Sequence, residues 1–406
     1  MSIAQVAREA LDRIHERGTH RKMRVLEGAQ ASRMIVDGRD VLLFAGSNYL
    51  DIAHHPALVE ASAQAAAEYG CAAGGSRLIT GNLDLHESLE AELADFFGSE
   101  AALAFSTGYM ANAGVIPALV GPGDAIVSDE LNHASIIDGA RLARARISVF
   151  RHGDLESLQK ALARAADESR RVLLAIDGVF SMDGDLAPLP AMIELGKRYD
   201  AMILVDDAHG TGTLGARGRG SADHLQVTDG IDVLLGTLGK SLGSFGAFVV
   251  GSHALRDLLV NVARSFIFSC ALAPPQVAAA RAALRLIDSE PWRRWKLQTN
   301  AARLRDRLAE LGISTSPSGS HIVPVVIGGN SETMAACEAL LERGFYAQGI
   351  RHPSVPQGTA RLRITPMASH SEAEIDALAD CVGELVHSSP LSMGRVANLP
   401  RANALS

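Results

Sequence analysis

Ala201-Met-Ile-Leu-Val-Asp-Asp-Ala-His-Gly-Thr-Gly212 decides the fold. Ala201 to Val205 is an unbroken apolar run of strand length, and it passes directly into Asp206, Asp207 and His209 followed by glycines. A strand without polar alternation is covered on both faces, as in a parallel sheet with helices above and below it. In open sheets of that kind ligands bind beyond the carboxyl ends of the strands. A carboxylate and an imidazole therefore stand where chemistry is done. Outward from this stretch, Ala101 to Phe105, Ala125 to Ser128, Ile147 to Phe150, Val172 to Ile176, Val233 to Leu235 and Ala247 to Val250 repeat the same texture. Helical spacers between several of them imply parallel crossovers, so the expected class is α/β with a mostly parallel central sheet.

The helical periodicity is strongest at Asp84 to Phe97, where Leu85, Leu89, Leu93 and Phe96 share a face and Gly98 ends the run. Ala4 to Arg17 is amphipathic, with Val6, Ala10, Leu11 and Ile14 on one side, and is expected to pack on another subunit or lobe. Val41 to Phe44 reads as a short strand. Past Ala273-Pro-Pro275 one long helix is expected from Gln276 to about Leu311, bridging two lobes. His321 to Ile327 and Ala360 to Thr365 then read as strands, with helices near Thr333 to Arg343 and Glu372 to Val386, which makes a smaller C-terminal α+β domain. The expected organisation is an N-terminal helix and strand segment (1–45), a large domain (46–290), a small domain (291–387) and a disordered Ser-, Pro- and Asn-rich tail (388–406).

At 406 residues and 47% hydrophobic content, the chain can build more than one core. Its net charge of −8 gives no footprint for nucleic acid or an anionic membrane, and the basic residues cluster only at His20 to Arg24 and Arg141 to Arg146. Cys71, Cys270, Cys337 and Cys381 have neither zinc spacing nor a disulfide framework, and no metal ligand set is expected. The N-terminus carries Glu9, Asp12 and Glu16 among its apolar residues rather than a signal core, and no run reaches transmembrane length. A cytoplasmic enzyme is expected.

The second chemical signal is Asp232-Val-Leu-Leu-Gly-Thr-Leu-Gly-Lys-Ser-Leu-Gly243, which places Lys240 at the end of an apolar run among small residues. A lysine that forms an imine needs its charge suppressed by desolvation or a nearby cation. An aspartate at a strand end can keep a pyridinium nitrogen protonated, so the order Asp206 then Lys240 points to pyridoxal phosphate (PLP). Taken alone, Asp206 is equally a turn cap, His209 a structural histidine and Lys240 a solvated loop residue. Gly210-Thr-Gly-Thr-Leu-Gly215 matches a dinucleotide fingerprint, but Ala216-Arg-Gly-Arg-Gly-Ser221 follows where a helix should open. Lys240-Ser241 lacks the first glycine of a nucleotide-triphosphate loop, since Leu234 occupies that position.

Phe105-Ser-Thr-Gly-Tyr-Met-Ala-Asn112, Asn132-His-Ala-Ser135, Gly178-Val-Phe-Ser-Met-Asp-Gly-Asp185, Asp206 to Gly212, Gly218-Arg-Gly220 and Thr237 to Gly243 follow one another as in the α-oxoamine synthases. The chain resembles that family over about residues 5 to 386. The resemblance implies a PLP-dependent transferase of fold type I, a homodimer that condenses an amino acid with an acyl thioester. It makes Lys240 the Schiff-base lysine, Asp206 the partner of the pyridine nitrogen and His133 the residue stacked on the ring. His209 would bond the phenolic oxygen, and Ser181 would line the ring pocket. Gly108 and Tyr109 match the phosphate turn at a helix start, with Thr237 adding a hydroxyl. Ser269 is a candidate to reach the neighbouring subunit's phosphate. Arg363 matches the arginine for the amino-acid carboxylate, and Arg21, Arg351 and Ser354 match positions near the acyl substrate. Each has a plainer reading: His133 as a helix cap, Ser181 as a turn hydroxyl, Arg361 and Arg363 as solvent-facing charges on one strand face.

Within the family, Ala73 to Asn82, Asp206 to Gly212 and Gly358 to Arg363 are most similar to members that join L-alanine to pimeloyl-CoA, or to a pimeloyl carrier protein, with loss of CO2 in biotin synthesis. Lys240 would take the alanine Cα proton, and His133 would polarise the thioester carbonyl. One departure stands out. Gly46-Ser-Asn-Tyr-Leu-Asp51 ends in an acid where the family has glycine, which would oppose a dicarboxylic acyl chain and leaves open a long-chain relative such as serine palmitoyltransferase. 2-Amino-3-ketobutyrate ligase, an NAD-dependent oxidoreductase and a catalytically silent subunit are the remaining alternatives.

Overall fold

The apolar runs pair into a single seven-stranded sheet, and their alternate residues feed two different cores. The computed structural model describes residues 1–388, so most of the tail expected at 388–406 lies outside the described residues. The chain divides into two units, one of Ser47–Thr299 with Met367–Ser369 and one of Met1–Gly46, Asn300–Pro366 and the residues from His370.

In the first unit the strand order is Ala101–Phe105, Ala247–Gly251, Val233–Thr237, Met202–Asp206, Val172–Asp177, Ala125–Asp129 and Arg146–Phe150. The last five are mutually parallel, and Ala247–Gly251 runs antiparallel to both its neighbours. Leu174, Ile176, Ile203 and Val205 enter the core on one face, while Leu173, Ala175 and Leu204 enter the core on the other. That is the period-2 alternation of a strand covered on both sides. Each of the leucine, isoleucine and valine side chains contributes about 1.5–3 kcal/mol by leaving water. Arg146–Phe150 departs from the expected two-sided burial: it is the sheet edge, and only Phe150 is buried.

Helices Gly108–Leu119 and Ala134–Ala143 pack against each other beside this sheet. Gly139 makes the contact close, since a Cβ there would stand 2.8 Å from Asn112 O. The single long helix expected from Gln276 to Leu311 is corrected to two, Pro274–Ser289 and Trp292–Glu310. Pro291 lacks an N–H and forces Glu290 out of the helical region, to φ −120 and ψ 58. The division between the two units falls within the second of these helices.

The other unit holds two small sheets. Leu26–Glu27, Arg33–Val36 and Arg39–Leu43 are joined by Phe345–Tyr346, which lies parallel to Arg39–Leu43 and ties the N-terminal segment to the C-terminal part. Val323–Gly328, Ala360–Ile364 and Gln348–Ile350 form an antiparallel sheet centred on Ala360–Ile364. Phe44, Leu304, Leu340, Ile364 and Leu378 are among its core residues. Helix Ile3–Glu16 buries none of its own residues. Among the described residues no helix is long and apolar enough to cross a membrane.

Candidate active site

Acids end adjacent parallel strands. Asp206 closes Met202–Asp206 directly opposite Asp177, which closes Val172–Asp177. Both are buried. Asp206 Oδ2 accepts from Asn112 Nδ2 at 2.7 Å, and its Oδ1 accepts the N–H of Ala208 at 3.1 Å. The turn-cap reading of Asp206 is therefore true, and it leaves the carboxylate anchored at the sheet edge. Asp177 Oδ2 accepts the N–H of His133 at 2.7 Å.

Lys240 lies in the loop between Val233–Thr237 and Ala247–Gly251, whose ends are pinned by Leu238 N–H to Gly246 O at 2.9 Å and Ser244 N–H to Leu238 O at 2.9 Å. Gly243 permits the loop's course, because its φ is 58 and a Cβ would stand 2.9 Å from Ala53 Cα. Lys240 Nζ is 2.9 Å from His209 Nε2, and His209 Nδ1 is 2.8 Å from the Tyr49 hydroxyl. Amine, imidazole and phenol thus form a relay, and the plain reading of Lys240 as a solvated loop residue does not hold.

Gly108–Leu119 opens at Thr107, whose hydroxyl accepts the Met110 N–H at 3.1 Å. The first N–H groups of such a helix have no intrahelical acceptor, which suits a phosphate at Gly108 and Tyr109. The Tyr109 side chain instead turns to Asp138, donating to its Oδ2 at 2.7 Å. Thr237 Oγ1 donates to Gly246 O at 3.0 Å and accepts the Gly239 N–H at 3.2 Å, so its hydroxyl serves the lysine loop. Ser181 follows the Val172–Asp177 strand in a half-buried turn. Ser269 lines a small cavity with Arg77, Ser106 and Phe266.

His133 is the N-cap of Ala134–Ala143, where its Nδ1 accepts the Ser135 N–H at 3.3 Å. The helix-cap reading of His133 is therefore true. The residue is exposed as a whole, yet desolvation pushes its imidazole pKa down, Asp206 pulls it up and Lys240 pushes it down again.

Arg363, Arg351, Ser354 and Arg21 belong to the other unit. Arg361 and Arg363 are both buried, which corrects their reading as solvent-facing charges. The Arg351 guanidinium donates to the carbonyls of Gly18 and His20, one residue from the exposed Arg21. Ser354 is exposed. Asp51, expected as an acid at a substrate entrance, is only 8% exposed and accepts from Asn48 Nδ2 at 3.2 Å. Its φ of 54 explains why glycine suits the position.

These residues fit PLP by the chemistry of their donors. A buried carboxylate meets a pyridinium, a helix N-terminus meets a phosphate, an amine held by an imidazole meets an aldehyde, and an exposed imidazole can lie against the ring. The Gly210 motif does not fit a dinucleotide, since turns follow it and the next helix is the four-residue Ser221–His224. Sequence reasoning missed Tyr49, Asn112, Ser135, Asp177 and His152 as contributors. Four of them stood inside or beside motifs already singled out. His152 carried no signal beyond its place just after a strand end. It bridges Asp129 Oδ1 at 3.0 Å and Asp185 Oδ2 at 2.8 Å.

A family model described as aminotransferase class I and II matches residues 39–382. The chain belongs to that family. Within it the chain is 50% identical over 368 residues to an 8-amino-7-oxononanoate synthase of Geobacter sulfurreducens, covering 90% of this chain and 94% of that one. It is 45% identical over 373 residues to the enzyme of that name from Cellvibrio japonicus, covering 92% and 93%. Among solved structures, a serine palmitoyltransferase of S. paucimobilis bound to a PLP-myriocin aldimine superposes with a TM-score of 0.90 at 32% identity, covering 96% of this chain and 99% of that one. An 8-amino-7-oxononanoate synthase of Francisella tularensis gives a TM-score of 0.75 at 25% identity, covering 86% and 98%. These relatives place the chain among the α-oxoamine synthases, with the fold type I architecture and PLP as cofactor.

Proposed function

We propose that this chain is a PLP-dependent 8-amino-7-oxononanoate synthase that condenses L-alanine with a pimeloyl thioester, releasing CO2 and the thiol, in biotin synthesis. The observation that carries it is the relay of Lys240, His209 and Tyr49 beside the anchored Asp206, in a chain 45–50% identical to enzymes of that name. The bound cofactor supplies an aldehyde reactive towards amines and a ring that accepts the electron pair left at the amino acid's Cα.

The chain's own residues do the rest. Lys240 Nζ holds the aldehyde and afterwards moves the Cα proton, with His209 keeping the amine in place. Asp206 fixes positive charge on the ring nitrogen. The N–H groups at Gly108 and Tyr109 take the phosphate, with Thr237 and Ser181 bordering the site. His133 offers a hydrogen bond to the thioester carbonyl. Arg363 is assigned to the alanine carboxylate, and Arg21, Arg351 and Ser354 to the acyl substrate, on the family resemblance.

The active species is a cytoplasmic homodimer in which Ser269 serves the partner's phosphate. Ile79 at 79% and Phe268 at 70% exposure favour a covering subunit. An active monomer in sedimentation would contradict this. Serine palmitoyltransferase is the second reading, favoured by the TM-score of 0.90. Thiol release with alanine, glycine and serine crossed against pimeloyl, acetyl and palmitoyl thioesters, each on CoA and on carrier protein, separates the readings. Lys240→Ala should abolish turnover and the long-wavelength absorbance of the holoenzyme, and retained turnover refutes the assignment.

A further inference from the structure

The groups behind His133 form one hydrogen-bonded line. Asn112 is wholly buried, and its amide nitrogen donates to two acceptors, Asp206 Oδ2 at 2.7 Å and Ser135 Oγ at 2.9 Å. A carboxylate oxygen accepts from its donors, so the amide orientation is fixed and both of its hydrogens are used. Ser135 Oγ already accepts and has its own hydrogen left to give. Its other partner is His133 Nδ1 at 2.7 Å, which also faces the Ser135 N–H at 3.3 Å. The N–H makes Nδ1 an acceptor, and its one lone pair is then shared with the hydroxyl hydrogen of Ser135. A neutral imidazole that accepts at Nδ1 carries its proton on Nε2.

We propose that Ser135 and Asn112 are positioning residues that hold His133 as the neutral Nε2–H tautomer, a preset hydrogen-bond donor for the carbonyl oxygen of the acyl thioester. This rests on the acyl-transfer reading above. Helix capping alone would need Nδ1 to meet only the Ser135 N–H. The shorter bond to the hydroxyl, and the buried amide behind it, go beyond that need. A donor fixed before the reaction stabilises the charge that grows on the carbonyl oxygen without reorganising as it forms. The line also ends on Asp206, so the carboxylate that serves the ring nitrogen and the imidazole that serves the carbonyl share one buried amide. Desolvation by the surrounding protein also lowers the imidazole pKa, and an imidazolium would need to place a second hydrogen against Ser135. Asp177 holds the backbone N–H of His133 at 2.7 Å, which fixes the main chain from which the ring projects.

The test is nitrogen-15 NMR of the holoenzyme with labelled histidine, the His133 signals being assigned by their loss in His133→Gln. The expected result at pH 7 is a protonated Nε2 and a bare Nδ1. Ser135→Ala should weaken that preference and lower kcat at least about tenfold, while KM for alanine stays within about threefold. A protonated Nδ1 in the unaltered enzyme overturns the proposal, and so does Ser135→Ala with undiminished kcat. Since the tautomer is read in the unaltered protein, the result stands even where the variant does not fold. Absence of thiol release from every thioester would instead overturn the reading of function, whereas the NMR result bears on the His133 tautomer alone.

Discussion

Asp177 and Asp206 end neighbouring parallel strands directly opposite one another, and the two carboxyls are held in opposite ways. Asp206 receives two N–H donors, from Asn112 and Ala208. Burial, then the charge of Asp206, pushes the Asp177 carboxyl well above the usual range, against the His133 N–H and Lys240. One carboxyl pushed up beside another is what two acids sharing a buried site produce.

Asp177→Asn is accordingly expected to keep thiol release within about threefold, because the amide preserves an acceptor for the His133 N–H and replaces a carboxyl whose ionisation burial opposes. Asp206→Asn is expected to lose at least about a hundredfold, since the ring nitrogen loses its counter-charge. Equal damage from both substitutions would mean that Asp177 works as an anion.

His152 provides a pH-dependent prediction. Burial works against its charge, but the hydrogen bonds to Asp129 and Asp185 outweigh it and raise the imidazole to about 10. The stabilisation is full below the ordinary histidine pKa of about 6.5 and is lost as pH rises through about 10. Removing one partner of a buried pair costs about 3–5 kcal/mol, and the 23% exposure of this side chain places it at the lower end. Melting curves of wild type and His152→Gln should differ most near pH 6 and converge towards pH 10. A gap that stays constant over that range would show that His152 acts by packing on Phe180 instead.

Asp207 has the opposite consequence. Its side chain lies against three glycines, and a Cβ at Gly220 would stand 1.7 Å from Asp207 Oδ2. Burial pushes the carboxyl up to about 7, against its hydrogen bonds with Ser221. A raised carboxyl favours the folded state below about pH 4, and that contribution disappears as pH climbs through about 7. Asp207→Asn keeps an acceptor for the Ser221 N–H, at 2.7 Å in wild type, and cannot ionise. It should gain on wild type between pH 4 and 8, about 2–4 °C in Tm per kcal/mol for a unit of this size. No relative gain across that interval would mean the carboxyl ionises freely.

Asp51 tests the specificity argument drawn from its charge. Its carboxyl is turned onto Asn48 and nearly shielded from solvent. Asp51→Gly should therefore leave the ratio of pimeloyl to palmitoyl turnover within about twofold, and glycine should accept the positive φ without strain. A change in preference of tenfold or more would restore the residue to the acyl path.

Much of the site was legible because its residues end strands. A run such as Ala201 to Val205 announces both a covered strand and the position of its carboxyl end, which places Asp206, and the apolar run from Val233 places the Lys240 loop in the same way. Asn112 and Ser135 were quoted within motifs, but their role depends on two helices approaching at Gly139, a distance that no sequence spacing encodes. His152 was invisible because its partners are 23 and 33 residues away along the chain. The break at Pro291 was legible in principle, since proline cannot continue a helix with its preceding residue in place.

By itself the sequence determined that this is an α/β enzyme with an aspartate, a histidine and a lysine gathered at one sheet edge, because periodicity and strand-end placement are local properties of the chain. Only the tertiary structure decided that burial works against ionisation of Asp177, which nitrogen of His133 accepts, and that Asp51 points inward. Those are set by burial and by hydrogen bonds between residues distant in sequence, and they exist only once the strands and helices have packed.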